Sequence, residues 1–224
     1  MSQTTIDYHL SALPDLMEYL GETYVHRNGQ VELRDKWLSW QGGVSEYYKD
    51  CVNDSYLFDL SQWHASGTLT GWGNIIKDHA HGVTLDFGGG IGTYSLIMAS
   101  SDKTSEVWFY DINEANEKFT KYRIDKHSLA HKVKYGMPTT QVDTIVAIDV
   151  LEHMPDRVLA VKEWVDKLNP GGVLILTHTT TTSGGQHPMH LMTDIEIPVV
   201  AAALSVSCTK LGTFWPQVWV KNAH

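Results

Sequence analysis

Residues 83–95, Val-Thr-Leu-Asp-Phe-Gly-Gly-Gly-Ile-Gly-Thr-Tyr-Ser, constrain this chain more than any other stretch. A short β-rich run, Val83 to Phe87, ends in glycines, and a helix-like run follows over about 93–99. Glycines at 88, 90 and 92 allow positive φ and let a ligand approach the backbone with no Cβ between them. A helix opening there offers unpaired N–H groups. A strand, a glycine turn and a helix in this order predict the first half of a βαβ unit with a nucleotide-type site at its turn.

The pattern continues downstream. Strand-like runs lie at 106–111 (EVWFYD), 132–135, 142–149 (VDTIVAID) and 172–177 (GVLILT), with helical stretches between them. The run at 142–149 is nearly all apolar, as a buried parallel strand requires. Over 156–168, Val158, Val161, Trp164, Val165 and Leu168 share one helical face, and Asn169-Pro-Gly-Gly172 stops the helix. Alternating β and α predicts an α/β fold with a doubly wound, mostly parallel sheet. Two β-like runs, 207–211 and 218–220, are expected to complete it to seven strands as an antiparallel edge hairpin. Ligands in such sheets sit at the carboxyl ends of the strands.

Two nucleotide motifs compete for the glycine turn. The dinucleotide fingerprint needs glycine at its first, third and sixth positions, and the sixth position from Gly88 is Thr93. A phosphate-cradling P-loop needs Gly-Lys-Ser/Thr, which is absent. The second strand ends in Asp111, 19 residues after Gly92. A carboxylate there can accept both hydroxyls of a ribose.

Together, Asp86-x-Gly-x-Gly-x-Gly92, Asp111, Asp149-Val-Leu-Glu-His-Met-Pro-Asp156 and Leu168-Asn-Pro-Gly-Gly-Val-Leu-Ile-Leu-Thr177 resemble the class I S-adenosylmethionine-dependent methyltransferases, nearest their small-molecule branch. The resemblance covers about 75–180 and implies a Rossmann-like fold using S-adenosylmethionine and releasing S-adenosylhomocysteine. It places Gly88, Gly90 and Gly92 under the methionine part of the cofactor, and Asp86 near its amino group. Asp111 would take the ribose hydroxyls, Ile112 would pack on the adenine, and Asp149 would sit near the methyl-bearing sulfur. One departure is plain: after strand three the chain reads Lys134-Tyr-Gly-Met-Pro138, with no carboxylate for the adenine amino group.

Composition limits the acceptor. The chain has 224 residues and a net charge of -9, with no basic run, which disfavours nucleic acid. No segment approaches the ~20 apolar residues of a membrane span. MSQTTIDYHL does not read as a signal peptide. Cys51 and Cys208 form no disulfide framework. A cytoplasmic enzyme acting on a small molecule is expected, with homodimerisation left open. Neither an Asp/Asn-Pro-Pro-Tyr motif nor a Pro-Cys follows strand four, which argues against amino groups of DNA bases, protein amides or cytosine carbon as acceptors. Oxygen or nitrogen of a small molecule is the expected acceptor atom. A non-catalytic binding protein on the same fold and a nicotinamide-dependent reductase are the rival readings.

Residues 1–72 differ from the rest. They carry ten Asp/Glu against four Lys/Arg and eleven of the 23 aromatic residues. They are expected to form a helical cap over the pocket, with Gly67 to Gly73 as its hinge and 73–224 as the cofactor-binding domain. Trp37, Trp40, Tyr47, Tyr48, Tyr56, Trp63 and His64 are candidates to line it. On the strand-end side, His153, His178, His187 and His190 are the candidate proton acceptors, since histidine titrates near neutrality. His190, then His187, are the expected acceptor-side groups, with Asp149 beside them. His187 and His190 with His178 or Asp149 could also make a metal set, but no dedicated metal site is expected.

Overall fold

The computed structural model describes residues 7–181 and 189–223. Seven strands form one sheet in the order β3-β2-β1-β4-β5-β7-β6. Their bounds are β1 Gly82–Phe87, β2 Thr104–Tyr110, β3 Val133–Tyr135, β4 Val142–Ala147, β5 Leu168–Leu176, β6 Cys208–Leu211 and β7 Gln217–Lys221. β1 to β5 pair in parallel, and β7 runs antiparallel to both β5 and β6, as the edge hairpin expected from the sequence. Strand order reverses between β1 and β4, so their carboxyl ends open the crevice where ligands of such sheets bind.

Both faces of the sheet are covered, which explains why the central strands are continuously apolar. Successive side chains alternate. Ile145 and Leu174 join one core with Trp164, Val161 and Leu204. Val146 and Ile175 join the other with Leu96, Met98 and Ile124. The first face carries α8 (Arg157–Lys167) and α9 (Glu196–Ser205); the second carries α5 (Thr70–His79), α6 (Thr93–Ala99) and α7 (Glu114–Lys126). Local signals set the helix starts. The side chains of Asn113 and Asp156 accept the N–H groups of Asn116 and Leu159, capping α7 and α8. α9 has Ile195 at its N-cap, with no side-chain cap. Glu196 instead reaches back to accept from the Thr193 N–H and hydroxyl, each at 2.8 Å.

The N-terminal segment is helical: α1 Ala12–Leu20, α2 Gly29–Ser39, α3 Val44–Glu46 running into a π-helical turn Tyr47–Cys51, and α4 Ser55–Ala65. Asn28 caps α2 by accepting the Val31 N–H at 3.1 Å. The expected hinge at Gly67 to Gly73 differs. α5 already runs from Thr70, and a Cβ at Gly73 would come within 2.9 Å of His9 and Ile97, so this glycine lets α5 pack closely.

One buried ion pair ties the segment to the sheet domain. Arg123 on α7 donates to Asp15 on α1 at 2.9 Å, to the Ile91 carbonyl and Thr93 hydroxyl at the glycine turn, and to the Tyr8 carbonyl. Both side chains are buried, at 0% and 2% exposure. Every such charge needs a full set of partners to be tolerated there, and this set satisfies them.

Candidate active site

The site begins at the turn after β1. Gly88, Gly90 and Gly92 all adopt positive φ, between 56° and 72°. At Gly88 the requirement is doubled, because a Cβ would also meet the Val150 side chain at 2.5 Å. At Gly92, the residue before α6, a Cβ would run into Thr120. Gly92 therefore serves to seat α6 and α7 together, while Gly88 and Gly90 line the crevice itself.

That crevice is a cavity of about 50 Å³ lined by Asp86, Gly88, Gly90, Tyr94, Asp149 and, from α4 of the cap, Tyr56, Leu60, Trp63 and His64. Small-molecule pockets typically hold about 300–1,000 Å³. The cavity is therefore smaller than a nucleoside needs, and Leu60 of α4 narrows it against Gly90. Three of the seven cap candidates, Tyr56, Trp63 and His64, reach this pocket. Trp37 and Tyr47 pack with Leu33 and Val52, and Trp40 joins the rim of that cluster. Tyr48 is buried in the same cluster and also packs on His153, where the rings lie 4.8 Å apart.

Acidic groups dominate the strand ends. Asp86, on β1, is 1% exposed and accepts the Ser95 hydroxyl at 2.6 Å. Burial raises its pKa to about 7, against the lowering effect of Ser95. Asp111, just past β2, accepts the N–H groups of Gly90 at 2.8 Å and Asn113 at 2.7 Å. Burial raises it to about 6, opposed by those same bonds. Asp149, past β4, holds a left-handed φ of 52°, a conformation that costs a non-glycine residue energy and collects at functional sites. Its Oδ1 accepts from Thr177, while Oδ2 is buried with no hydrogen-bond partner among the described residues. Glu152, three residues on along a short 3₁₀ turn, is fully buried with Oε2 likewise unpartnered. Burial, and then the charge of Asp149, raise its pKa. Among the described residues, no Lys or Arg forms an ion pair with any of these four carboxylates.

Glu152 was not singled out from the sequence, although the signal was present. Both carboxylates stand in one motif after β4, Asp149-Val-Leu-Glu152, three residues apart. Tyr94 was also missed; its buried hydroxyl lines the cavity without a partner among the described residues.

The histidines divide. His190 lies against Glu152, with Nε2 4.0 Å from Oε1, and both contact the Thr179 hydroxyl. His153 lies beside His190, ring centroids 5.2 Å apart. His178 is not with them. It contacts Gln217 of β7 at 3.1 Å and stands edge-on to Trp215. His187 lies outside the described residues. Ile112 is 41% exposed next to Asp111, on the adenine side implied by the resemblance.

Comparison with known proteins adds the family. A family model described as a methyltransferase domain matches residues 73–199, more than half the chain. No curated protein matches in sequence. Among solved structures, the N-methyltransferase NodS from Bradyrhizobium japonicum WM9, in complex with S-adenosylhomocysteine, aligns with a TM-score of 0.55 at 13% identity, covering 88% of this chain and 100% of that one. An O-methyltransferase family protein from Burkholderia thailandensis aligns at 0.58 and 10% identity, over 95% and 71%. The cyclase SpnF aligns at 0.54 and 17% identity, over 92% and 71%. At such identities these three speak to the fold. The family match, on the glycine turn, the strand order and the acid-lined crevice, makes this chain a member of the methyltransferase domain family, the class I S-adenosylmethionine-dependent methyltransferases that its sequence resembles.

Proposed function

We propose that the protein transfers the methyl group of S-adenosylmethionine to oxygen or nitrogen of a small-molecule acceptor. The observation that carries this is the cluster of Asp86, Asp111, Asp149 and Glu152 with no Lys or Arg against them among the described residues. Uncompensated carboxylates below the surface favour a cationic ligand, and this cofactor carries both an ammonium and a sulfonium. The unpartnered Asp149 Oδ2 and the Cβ-free approach at Gly88 and Gly90 fit the same group.

In this reading Gly88 and Gly90 pass beneath the cofactor, Gly92 keeps α6 in place, and Asp86 receives its amino group. Asp111 takes the ribose hydroxyls with lone pairs not used by Gly90 and Asn113, and Ile112 covers the adenine. Once bound, the cofactor supplies a methyl already activated by positive sulfur. The chain's own work is to align the acceptor in line and to exclude water. Asp149 stands at the methyl side. His190 stands at the acceptor side, where a proton must leave if the acceptor carries one; His187, the second candidate for that role, lies outside the described residues. Residues 1–72 act as the cap that selects the acceptor, and 73–224 as the cofactor domain. The chain's acidity supports a small acceptor rather than nucleic acid. No helix among the described residues is long and apolar enough to cross a membrane, which is compatible with a cytoplasmic enzyme.

The cyclase SpnF shows that a similar fold can accompany other chemistry, so a binding protein without methyl transfer is the second reading. The missing sixth-position glycine disfavours a nicotinamide enzyme. Calorimetric titration with S-adenosylhomocysteine and NADH separates these. Binding of the first and not the second is expected; NADH binding alone would overturn the proposal.

A further inference from the structure

The residues beyond Asp149 hold a second arrangement that methyl transfer does not require. Glu152, His153 and His190 each place one potential ligand atom within 4.8 Å of the other two. A divalent ion with bonds of about 2.1 Å to its ligands separates them by roughly 3–3.5 Å. Each group here would need to move by less than about 1 Å to close on an ion, within the reach of side-chain adjustment.

The surroundings prepare these ligands. Glu152 is fully buried, and its Oε1 accepts both the hydroxyl and the N–H of Thr179, at 2.7 and 3.2 Å. That fixes the carboxylate and leaves Oε2 with no partner among the described residues. The His153 Nδ1 lies 2.9 Å from the Met189 carbonyl, so Nδ1 carries the proton and Nε2 the lone pair; Nε2 lies 3.4 Å from the Tyr48 hydroxyl, a long contact that an ion would replace. The Thr179 hydroxyl, which donates to Glu152, can only accept from His190, at 3.2 Å from Nδ1 or 3.3 Å from Nε2. In the neutral ring the other nitrogen is then the one with the lone pair. A carbonyl or hydroxyl behind each histidine and a donor pair behind the carboxylate are the outer contacts that metal ligands use.

We propose that Glu152, His153 and His190 bind a divalent first-row transition-metal ion. Two imidazoles and one carboxylate suit zinc, cobalt, iron or manganese better than magnesium or calcium. Three protein ligands leave coordination positions open, and an acceptor with an oxygen donor could occupy one beside Asp149. His190 would then act on the acceptor as a ligand of the ion. This differs from the set considered from sequence, because His178 is turned toward β7.

The test uses full-length, tag-free protein stripped with a chelator. Cobalt(II) is titrated and followed by its visible ligand-field absorption, with zinc(II) as competitor. One equivalent is expected to saturate the spectrum. Glu152→Gln and His190→Ala are each expected to weaken cobalt binding by at least about 100-fold, and His178→Ala to leave it unchanged. Absence of a ligand-field band, or an unchanged titration in both Glu152→Gln and His190→Ala, overturns the site. If Glu152→Gln misfolds by circular dichroism, His190→Ala, whose side chain is 10% exposed where that of Glu152 is fully buried, decides. Cobalt binding is read without the cofactor, so a failed S-adenosylhomocysteine titration would count against the proposed function and not against this site.

Discussion

Asp149 and Thr177 are bonded to each other twice: the Asp149 N–H donates to the Thr177 hydroxyl, and that hydroxyl donates to Asp149 Oδ1, each at 2.7 Å. One side chain at the end of β5 thus holds both the backbone and the carboxylate of the residue after β4, in a left-handed conformation that aspartate does not adopt cheaply.

Thr177→Val removes both bonds while keeping shape. It is expected to cost about 1–3 kcal/mol of stability, or roughly 2–4 °C in Tm per kcal/mol for a chain of this size. Thermal unfolding followed by circular dichroism measures this. A Tm equal to that of the wild type would mean that Asp149 holds its conformation without Thr177.

Asp111→Ala is expected to weaken S-adenosylhomocysteine binding by more than about tenfold, the ~1.4 kcal/mol scale of a lost charged hydrogen bond. Calorimetry gives the affinity. Equal affinities would take Asp111 out of the ribose contact.

Asp86 gives the apo protein a signed pH dependence. Its folded pKa of about 7 lies above the ordinary aspartate value near 3.9, because burial disfavours the charge. The folded state therefore holds the proton more tightly. The resulting stability is complete below about pH 4 and is lost as pH rises through about 7. His9, lowered by burial to about 4, and His64, also lowered by burial, act oppositely: their contribution is present above about pH 6.5 and lost as pH falls. Comparison with Asp86→Asn isolates the aspartate. Between pH 6 and 8 the wild type is expected to lose about 1 kcal/mol relative to the variant. Parallel urea-unfolding stabilities across that range would contradict the burial argument.

Trp63 lies 40% exposed on the cap and lines the cavity under α4. Because that cavity is too small for a nucleoside, binding should displace α4 and change the environment of this indole. Tryptophan emission is expected to shift on adding S-adenosylhomocysteine, and the shift to shrink in Trp63→Phe. An identical shift in the variant would place the movement elsewhere.

His190→Ala is expected to lower turnover at least about tenfold, toward the lower end of what a positioned acid–base group contributes, with little effect on cofactor affinity. Steady-state kinetics beside calorimetry checks both halves. Unchanged turnover at every pH would return His190 to a packing role.

The sheet was legible because its signals are local and repeated: apolar runs, glycine punctuation and acids at strand ends. β1, β2, β4 and β5 fall where the sequence puts them, within a few residues. The cap was legible as helical, but its contacts were not. Nothing near Asp15 announces that Arg123, over a hundred residues away, buries against it. Periodicity reports which face of a helix is apolar and not which distant charge will meet it. The same limit explains the site. Asp86, Gly88, Gly90 and Asp149 could be singled out because they stand in motifs, and they line one crevice. His178 could not be told from His190, because its direction depends on how β7 pairs with β5.

The guanidinium of Arg123 touches the Ile91 and Thr93 backbone and side chain at the glycine turn as well as α1. The cap and the turn are consequently not interchangeable modules. A chimera that grafts residues 1–72 onto a related cofactor domain would leave the buried Asp15 without the Arg123 and Lys126 cations unless the recipient supplies their counterparts. Exchanging this segment between relatives must therefore transplant both sides of the charge cluster around Asp15.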